Sequence, residues 1–462
     1  MKDKKVLLFG LGVLGGGIAT ANWLIVDGAK LTIHDIKPES DLSGSLQKIN
    51  GNFEKIMGRQ MTEGEIANFD IICINPDVSF RNPLIVYARN HGARIINEAV
   101  IFYSNYKSQK IAVTGTRGKT TTVNWITYIL NSQFHALTTG NSYKQPLLKS
   151  LSEPEVYDFV VTEMSSYLLE LFDQTVPAPD IAVITNLSSD HLNRYIDMTD
   201  YASAKANIFR YQSSSQKLIL NADDEWSEYF LSQVVNSDVW FVGKNKLAEG
   251  KKGAFVNENN LYIRTVAEDI FVCAVSDFSM KWGGHAVYNL MNAVLAAHLN
   301  GVSLDNIVEA IQNLPQIQYR QEVVFDDDKI AVINDTTATS PEGGIAAVNR
   351  FADKDAIFIF GGTDRGLDYG HWVEIVKSKI PSDRIIFLSG SATEKMKNDL
   401  KYLVEKDSLK ECFDEALSQA QKLDARYIVF SPSAKSFEKF KNEFDRGEKF
   451  NEIVRRSLQD EK

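Results

Sequence analysis

A glycine-rich segment near residue 115 has the composition of a phosphate-binding loop. The stretch VTGTRGKTTT follows the apolar run KIA and precedes a helical pattern. In such a loop, backbone amides between Gly115 and Gly118 surround phosphate oxygens, the Lys119 ammonium neutralises them, and the Thr120 hydroxyl ligates Mg²⁺. The spacing G-x-x-G-K-T is shorter than the common Walker pattern. Its place at a strand-to-helix junction still predicts a nucleotide phosphate site.

Two further segments end predicted strands with side chains that can ligate a metal. TEMSSYLLE places Glu163, and TNLSSDHLNRY places Asp190 and His191, after apolar strand patterns. The carboxyl ends of parallel strands meet at one edge of a sheet, so Glu163 and His191 are expected beside Thr120. A single histidine is more often structural than a ligand, but its position at a strand end favours the ligand. These residues predict a metal site.

A second glycine turn opens the chain. Gly10, Gly12 and Gly15 form G-x-G-x-x-G between a strand pattern and a helix pattern, and Asp35 ends the next strand 20 residues later. Such glycines let backbone amides approach a diphosphate, and the acid accepts hydrogen bonds from a hydroxyl or a ring N–H. The turn predicts a dinucleotide or nucleotide-sugar site, and the alternative is a tight turn without a ligand. An NAD dehydrogenase is disfavoured, because such an enzyme would have no use for the phosphate loop near residue 115.

Alternating strand and helix patterns must position these groups. KVLLFG, KLTIHD, FDIICINP and ARIIN alternate with helical stretches, and the rhythm restarts near residue 108 and near residue 317. This rhythm predicts an α/β fold with parallel sheets. We expect three domains: a Rossmann-like domain over 1–107, a central phosphate-loop nucleotide-binding domain over 108–316, and a Rossmann-like α/β domain over 317–462.

The composition is that of a soluble globular protein. The 462 residues are 44% hydrophobic and carry a net charge of −10, which argues against broad binding to nucleic acids or anionic membranes. Three cysteines without metal-ligand spacing favour a reducing compartment. No apolar run reaches the roughly 18 residues that span a bilayer. The chain is therefore expected in the cytoplasm.

Taken together, the motifs resemble those of the Mur ligase family. The resemblance covers nearly the whole chain and rests on VTGTRGKTTT, TEMSSYLLE, TNLSSDHLNRY, NLMNA, QYRQEVV, INDTTATSPE, FGGTDRG and SPSAKSFEKFKNEFDRG, in this order. It implies an ATP-dependent amide ligase that adds D-glutamate to UDP-N-acetylmuramoyl-L-alanine through an acyl phosphate. That reaction belongs to the cytoplasmic synthesis of peptidoglycan precursors, and so to cell shape and cell division. The implied partners are ATP, Mg²⁺, glutamate and the UDP-linked acceptor, without nucleic acid or membrane, for a monomeric enzyme.

The resemblance also implies one task per domain and roles for individual residues. The UDP-sugar would be bound by the first domain through Gly12, Leu14, Gly15, Asp35, Ile36 and Lys37, with Asn141 and Ser165 contributed by the central domain. The central domain would bind ATP through Gly115, Thr116, Gly118, Lys119, Thr120, Thr121, Asn289 and Asn292, assisted by Arg320 and Asp335 of the third. Two Mg²⁺ ions would be held by Thr120, Glu163, His191 and Lys205. The third domain would bind the amino acid through Thr339, Arg365, Ser436 and Phe444.

Lys205 receives its role from the resemblance alone. Its helical segment DYASAKANIF is equally compatible with a solvated lysine. The resemblance implies that Lys205 is carbamylated, because a carbamate offers Mg²⁺ a hard anionic oxygen that an amine lacks. Lys119, Glu163, His191 and Lys205 are then the implied catalytic residues.

Several positions depart from the family pattern. They are Arg117 for asparagine, Tyr167 for phenylalanine, Leu168 for glutamine, Tyr288 for histidine, Thr337 for lysine and Arg365 for lysine, with either Glu443 or Phe444 in a usual aromatic position. They cluster around phosphate and amino-acid contacts, so D- versus L-glutamate stays open. The alternatives are another Mur-type or folate-type ligase for a different amino acid, and a nucleotide-binding regulator without catalysis.

Overall fold

The computed structural model describes residues 1–12, 15–140, 145–152, 155–191, 194–397, 400 and 404–458. The chain forms two compact units: Met1–Ser276 with Val287–Leu314, and Asp277–Ala286 with Pro315–Lys462. The fold is α/β, as predicted, while the domain boundaries after residues 107 and 316 stay predictions. Among the described residues, no helix is long and apolar enough to cross a membrane.

The first sheet and its helices follow the predicted βαβ rhythm. Its elements are β1 (Lys5–Phe9), α1 (Gly16–Val26), β2 (Lys30–Asp35), α2 (Glu39–Leu46), β3 (Glu54–Met57), α3 (Glu63–Ile66), β4 (Ile71–Ile74), α4 (Pro83–Asn90), β5 (Arg94–Ile96) and α5 (Glu98–Asn105). Within the described residues, the five strands are parallel, in the order β3-β2-β1-β4-β5. The order reverses at β1, and sheets of this kind bind ligands beyond the carboxyl ends of the strands at such a point. The glycine turn after β1 lies there.

The second sheet carries the phosphate loop. Its elements are β6 (Gln109–Thr114), α6 (Lys119–Leu130), β7 (Ala136–Gly140), α7 (Leu147–Leu151), β8 (Phe159–Glu163), α8 (Ser166–Leu169), β9 (Ile181–Ile184), α9 (Met198–Ala206), β10 (Lys217–Asn221), α10 (Ser227–Ser232), β11 (Asp238–Gly243), β12 (Gly253–Asn257), β13 (Asn260–Arg264), β14 (Asp269–Ala274), α12 (Ala286–Leu299) and α13 (Leu304–Gln312). Between β14 and α12 the chain forms α11 (Ser276–Trp282), which belongs almost entirely to the second unit. The described strands run in the order β14-β13-β12-β11-β10-β9-β6-β8-β7. Because β6 pairs in parallel with β8 and β9, the ends of these three strands meet at the phosphate loop.

The third sheet belongs to the second unit. Its elements are β15 (Glu322–Asp326), β16 (Ala331–Asn334), α14 (Pro341–Phe351), β17 (Ala356–Phe360), α15 (Gly370–Lys379), β18 (Ile385–Leu388), α16 (Ser391–Met396), β19 (Val404–Lys406), α17 (Leu409–Leu423), β20 (Tyr427–Phe430) and α18 (Glu443–Leu458). The described strands run in the order β15-β16-β20-β17-β18-β19, with β15 antiparallel to β16.

Several strands are buried along their whole length, which is why continuous apolar runs in the sequence predict them. Every residue of β8, β9, β16 and β17 is buried, as expected for parallel strands covered on both faces. One apolar cluster in the first unit includes Leu8 of the first sheet and Val160 and Leu220 of the second. These two sheets therefore share a core.

Candidate active site

The phosphate loop connects β6 to α6 in a conformation that requires glycine. Gly115 has a φ of 140° and Gly118 a φ of 83°, values that residues with a side chain rarely adopt. A Cβ atom on Gly118 would also collide with Oδ1 of Asn289 on α12. The loop thus approaches Asn289 closely, and the two residues predicted to bind ATP lie together.

Residues after β9 hold the loop in place. The amide of Thr116 donates to the carbonyl of Asn186 at 2.9 Å, and the amide of Arg117 donates to Asn186 Oδ1 at 2.9 Å. The hydroxyl of Thr185 donates to the Arg117 carbonyl at 2.6 Å. Sequence reasoning missed Thr185 and Asn186, although the segment ITNL at a predicted strand end was the available signal.

Thr120 and Glu163 are in direct contact. The Thr120 hydroxyl donates to Glu163 Oε2 at 2.6 Å, and the Glu163 side chain is largely buried at the end of β8. No three His, Cys, Asp or Glu residues cluster as a complete metal site in the part of the chain that the structure describes. This donor set fits Mg²⁺, which is usually held by one or two carboxylates together with substrate phosphates.

Two lysines converge on one carbonyl oxygen of the loop. Lys119 Nζ donates to the carbonyls of Gly115 at 2.9 Å and Thr116 at 3.0 Å. Lys205 Nζ, from α9, donates to the same Gly115 oxygen at 2.9 Å. Lys205 is 1% exposed, and burial, followed by the charge of Lys119, holds its pKa well below the ordinary value of 10.5. Lys205 is therefore a buried amine, and the alternative of a solvated lysine is wrong.

His191 is held by its ring and by its backbone. The Tyr167 hydroxyl and His191 Nδ1 share a hydrogen bond of 2.7 Å. His191 has a φ of 56°, and its carbonyl accepts from the amides of Arg194 at 2.9 Å and Tyr195 at 3.2 Å. Such a backbone conformation is costly outside glycine and persists where its surroundings enforce it. Tyr167, where the family usually has phenylalanine, thus contacts a predicted metal ligand.

Arg194 connects this region to the first sheet. Its guanidinium lies 3.9 Å from the centroid of the Tyr167 ring and pairs with the buried Glu170 carboxylate at 2.5 Å. It also donates to the carbonyl of Pro76 at 2.7 Å and to that of Val78 at 3.2 Å, in the loop after β4. The sequence had not singled out Arg194, because a single arginine after DHLN carries no distinctive spacing.

The glycine turn and Asp35 are brought together at the end of β1. Asp35 Oδ2 accepts from the amides of Leu11 at 3.0 Å and Gly12 at 3.3 Å, and Oδ1 accepts from the Lys37 amide at 3.0 Å. The carboxylate thereby fixes the turn. Gly15 caps α1 with a φ of 98°.

The other residues predicted to bind the UDP-sugar are more dispersed. Ile36 and Lys37 are exposed. The hydroxyl of Ser165 caps α8 by accepting from the Leu168 amide at 3.3 Å. Leu14 and Asn141 lie outside the described residues.

The remaining predicted ATP contacts divide between the two units. In the first unit, Asn292 is fully buried and donates to the Tyr288 carbonyl at 2.8 Å, while Thr121 is half-buried on α6. In the second unit, Asp335 accepts from Ser431 Oγ at 2.8 Å and from the Gln321 amide at 3.1 Å.

Asp335 is a buried carboxyl group at the end of β16. Burial raises its pKa to about 7, although the hydrogen bond from Ser431 and the charge of Arg320 act in the opposite direction. Arg320, also predicted to bind ATP, is therefore close enough to act on Asp335 electrostatically.

The predicted amino-acid residues lie in the second unit: Thr339, Arg365 and Ser436 are in the segments that follow β16, β17 and β20, and Phe444 is in the first turn of α18. Ser436 is 2% exposed, and its hydroxyl has no hydrogen-bond partner in the part of the chain that the structure describes. It lines a small pocket together with Thr363, Lys435 and Lys439. A buried hydroxyl without a partner beside cationic side chains suits a carboxylate ligand.

Thr339, Arg365 and Phe444 make their own contacts in the second unit. Thr339 is buried, the guanidinium of Arg365 lies 4.9 Å from the centroid of the Phe437 ring, and Phe444 lies near Tyr319 with ring centroids 6.3 Å apart. Thr337 donates its hydroxyl to the Tyr319 carbonyl at 2.7 Å.

Arg446 organises this region, and the sequence did not indicate its importance. It is fully buried and donates to the carbonyls of Thr336 at 2.7 Å, Ala434 at 3.0 Å and Lys435 at 3.1 Å. It also donates to the Thr336 hydroxyl at 3.0 Å. Arg446 therefore ties the segment that carries Thr339 to the segment that carries Ser436.

Comparisons with known proteins show what the whole chain is similar to. The sequence model of the Mur ligase middle domain matches residues 113–299. The UDP-N-acetylmuramoylalanine--D-glutamate ligase of Roseiflexus sp. (strain RS-1) is 32% identical over 98% of this chain and 99% of the relative. The enzyme of the same name from Acetivibrio thermocellus is 31% identical over 98% of this chain and 97% of the relative.

Solved structures support the fold. The crystal structure of MurF ligase from Thermotoga maritima in complex with ADP covers 100% of both chains with a TM-score of 0.60 at 15% identity. That likeness concerns the fold alone. The full-length sequence relatives, together with the middle-domain match, show that this chain belongs to the Mur ligase family.

Proposed function

We propose that the protein is an ATP-dependent ligase that joins D-glutamate to UDP-N-acetylmuramoyl-L-alanine in the synthesis of peptidoglycan precursors. The observation that carries this proposal is the convergence of Lys119, Lys205 and the Thr120–Glu163 pair at the phosphate loop. The names of the full-length relatives specify the acceptor and the amino acid. Because the reaction consumes soluble nucleotides, we place the enzyme in the cytoplasm. We also propose that it is a monomer with three domains, at residues 1–107, 108–316 and 317–462.

The reaction proceeds through an acyl phosphate. The alanyl carboxylate attacks the γ-phosphorus of ATP and ADP leaves. The glutamate amine then attacks the acyl carbon and forms the C–N bond, the amine loses a proton, and the acyl C–O bond breaks so that inorganic phosphate leaves with the electron pair. The protein contributes mainly placement and charge neutralisation. Lys119 exchanges its carbonyl contacts for phosphate oxygens, because its ammonium already lies within the loop.

Thr120, Glu163, His191 and a modified Lys205 would hold Mg²⁺. The metal would supply electrostatic stabilisation of the crowded phosphate oxygens. The Thr120 hydroxyl already faces the Glu163 carboxylate, and Tyr167 fixes the His191 ring. Ligands fixed by neighbouring hydrogen bonds bind a metal with less loss of entropy.

The environment of Lys205 favours carbamylation. Only a neutral amine adds to CO₂, forming an N–C bond and releasing one proton. Burial and the charge of Lys119 both favour the neutral amine. The carbamate would replace this neutral amine with an anion close to Lys119, so that the two side chains attract each other.

Substrate contacts follow the predicted positions. We assign the UDP-sugar to the glycine turn and Asp35, and ATP to the phosphate loop with Asn289, Asn292, Arg320 and Asp335. The amino acid is assigned to Thr339, Arg365, Ser436 and Phe444. The partnerless hydroxyl of Ser436 supports the last assignment.

A panel of amino acids tests the proposal. Purified protein with ATP, Mg²⁺ and UDP-N-acetylmuramoyl-L-alanine should release inorganic phosphate and form a ligated product with D-glutamate, and should do neither when the acceptor or the amino acid is omitted. Product with L-glutamate but not D-glutamate would instead identify the alternative ligase. Phosphate release that is indifferent to both substrates would refute the ligase assignment.

A further inference from the structure

The Glu98 carboxyl group is buried without a hydrogen-bond partner for one of its oxygens. Glu98 is the first residue of α5 and is 9% exposed. Its Oε2 is the only fully buried carboxylate oxygen that lacks a hydrogen bond within the described residues. Because nearly all buried polar atoms in proteins are paired, such an atom calls for a partner other than the described protein groups.

This carboxyl group faces the first turn of α1. A Cβ atom built on Gly16 would lie 3.5 Å from Glu98 Oε2 and 3.7 Å from Oε1. Among the described residues, no side chain caps the N-terminus of α1, and its first turn contains no acidic residue. The N-terminus of this 11-residue helix therefore attracts anions, and the Glu98 carboxyl group lies beside its first residue.

An ionised carboxylate would repel an anion at this helix end, whereas a protonated one would donate to it. Burial alone raises the pKa of Glu98 to about 7, and no charged side chain contributes. From β4, the Cys73 thiol faces Glu98, and burial raises its pKa far above neutrality. α1 carries no charged residue, and Asp35 on β2 is already bound to the amides of the glycine turn. At neutral pH a substantial fraction of Glu98 is therefore protonated.

We propose that the protonated Glu98 carboxyl donates a hydrogen bond to a diphosphate oxygen of the UDP-linked acceptor at the N-terminus of α1. The proposal rests on the proposed function for the identity of the acceptor. Hydrogen bonds from a hydroxyl to an anionic oxygen are among the strongest in proteins. The diphosphate diester itself has no proton to gain or lose near neutrality, so Glu98 makes acceptor binding depend on pH.

The first test measures the Kd of UDP-N-acetylmuramoyl-L-alanine between pH 6 and pH 9 by calorimetry. For the wild type, the Kd should rise above pH 7 and approach a tenfold increase per pH unit, because each bound acceptor then requires a proton. Glu98→Gln replaces the O–H donor with an amide N–H donor that cannot ionise, so the Kd of this variant should be nearly constant over this range. A wild-type Kd that is independent of pH, or a Glu98→Gln variant with the wild-type dependence, overturns the proposal.

His34 provides the matched control. It precedes Asp35 on β2, and burial holds its pKa below the ordinary 6.5. His34→Gln should therefore keep the wild-type rise in Kd above pH 7. Loss of the rise in this variant would assign the pH dependence to His34 and overturn the role of Glu98.

A second measurement needs no variant. At pH 8, acceptor binding to the wild type should take up close to one proton, measured from binding enthalpies in buffers of different ionisation enthalpy. Binding without proton uptake overturns the proposal but leaves the ligase function intact. A wild-type protein that does not bind the acceptor at any pH would instead contradict the proposed function.

Discussion

Replacement of Lys205 separates its chemical role from any structural one. Lys205→Met keeps the length and apolar stem of the side chain but removes the amine. The one hydrogen bond lost is that from Nζ to the Gly115 carbonyl, worth about 1 kcal/mol. That carbonyl keeps the donor from Lys119, so no buried acceptor is left unpaired. The loss is offset because a buried amine no longer has to be desolvated.

The free energy of unfolding of Lys205→Met should therefore stay within about 1 kcal/mol of the wild type. Activity should fall by about a thousandfold or more, equivalent to about 4 kcal/mol of transition-state stabilisation, because the carbamate can no longer form. Phosphate release with both substrates measures activity, and urea unfolding measures stability. A stable Lys205→Met variant with full activity would refute the carbamate.

Two further variants sharpen this prediction. Lys110→Met is the matched control, because Lys110 is 8% exposed and donates to the Ser108 carbonyl at 3.3 Å near the start of β6, away from the phosphate loop. The Lys110→Met variant should keep wild-type activity.

Lys205→Ala leaves a space that a short carboxylate can enter, so acetate or formate should restore part of its activity. In Lys205→Met the methionine fills this space, so neither carboxylate should raise the activity.

Three other substitutions test the geometry. Gly118→Ala should weaken ATP binding at least tenfold, measured by calorimetry, because alanine is strained at a φ of 83° and its Cβ atom would collide with Asn289. Adding Asn289→Ala to the same chain should relieve part of the structural loss. Additive effects of the two substitutions would contradict the contact. Tyr167→Phe should weaken Mg²⁺-dependent ATP binding by roughly tenfold without changing the affinity for the acceptor, because the substitution removes the hydrogen bond to His191. Unchanged Mg²⁺ dependence would show that this hydrogen bond does not position His191. Glu98→Gln should raise the free energy of unfolding at pH 8 by up to about 3 kcal/mol but leave it unchanged near pH 4. The reason is that the pKa of Glu98 rises from the ordinary 4.5 to about 7 on folding, so the stability of the wild type falls as pH rises through that window. Equal urea midpoints of the two proteins at pH 8 would contradict the burial of Glu98 as an acid.

The strands that carry the site could be read from the sequence because they are buried. β2 coincides with KLTIHD, β8 and β9 lie within the apolar runs that predicted them, and β6 begins one residue before the run KIAVT. The strands β12, β13 and β14 were not predicted. They form the antiparallel edge of the second sheet, and β13 alternates between buried and half-buried residues, so its apolar signal is weak.

The contacts among site residues could be predicted only in part. Glu163 was expected beside Thr120 from strand-end placement, and the two are hydrogen-bonded. By contrast, the contact between Tyr167 and His191 joins residues 24 positions apart through a turn and a left-handed backbone, for which spacing gives no signal.

The sequence by itself determined the chemistry that is available: the GKT loop, the strand-end Glu163 and the order of the family motifs follow from local pattern. Only the tertiary structure decided the state of the buried groups. The local sequence around Lys205 is typical of a solvated helix lysine, and that around Glu98 is typical of an acidic residue at the start of a helix. In the folded protein, packing buries both side chains. The physical reason is that the free energy of a charge depends on its surroundings in three dimensions, and local pattern does not record them.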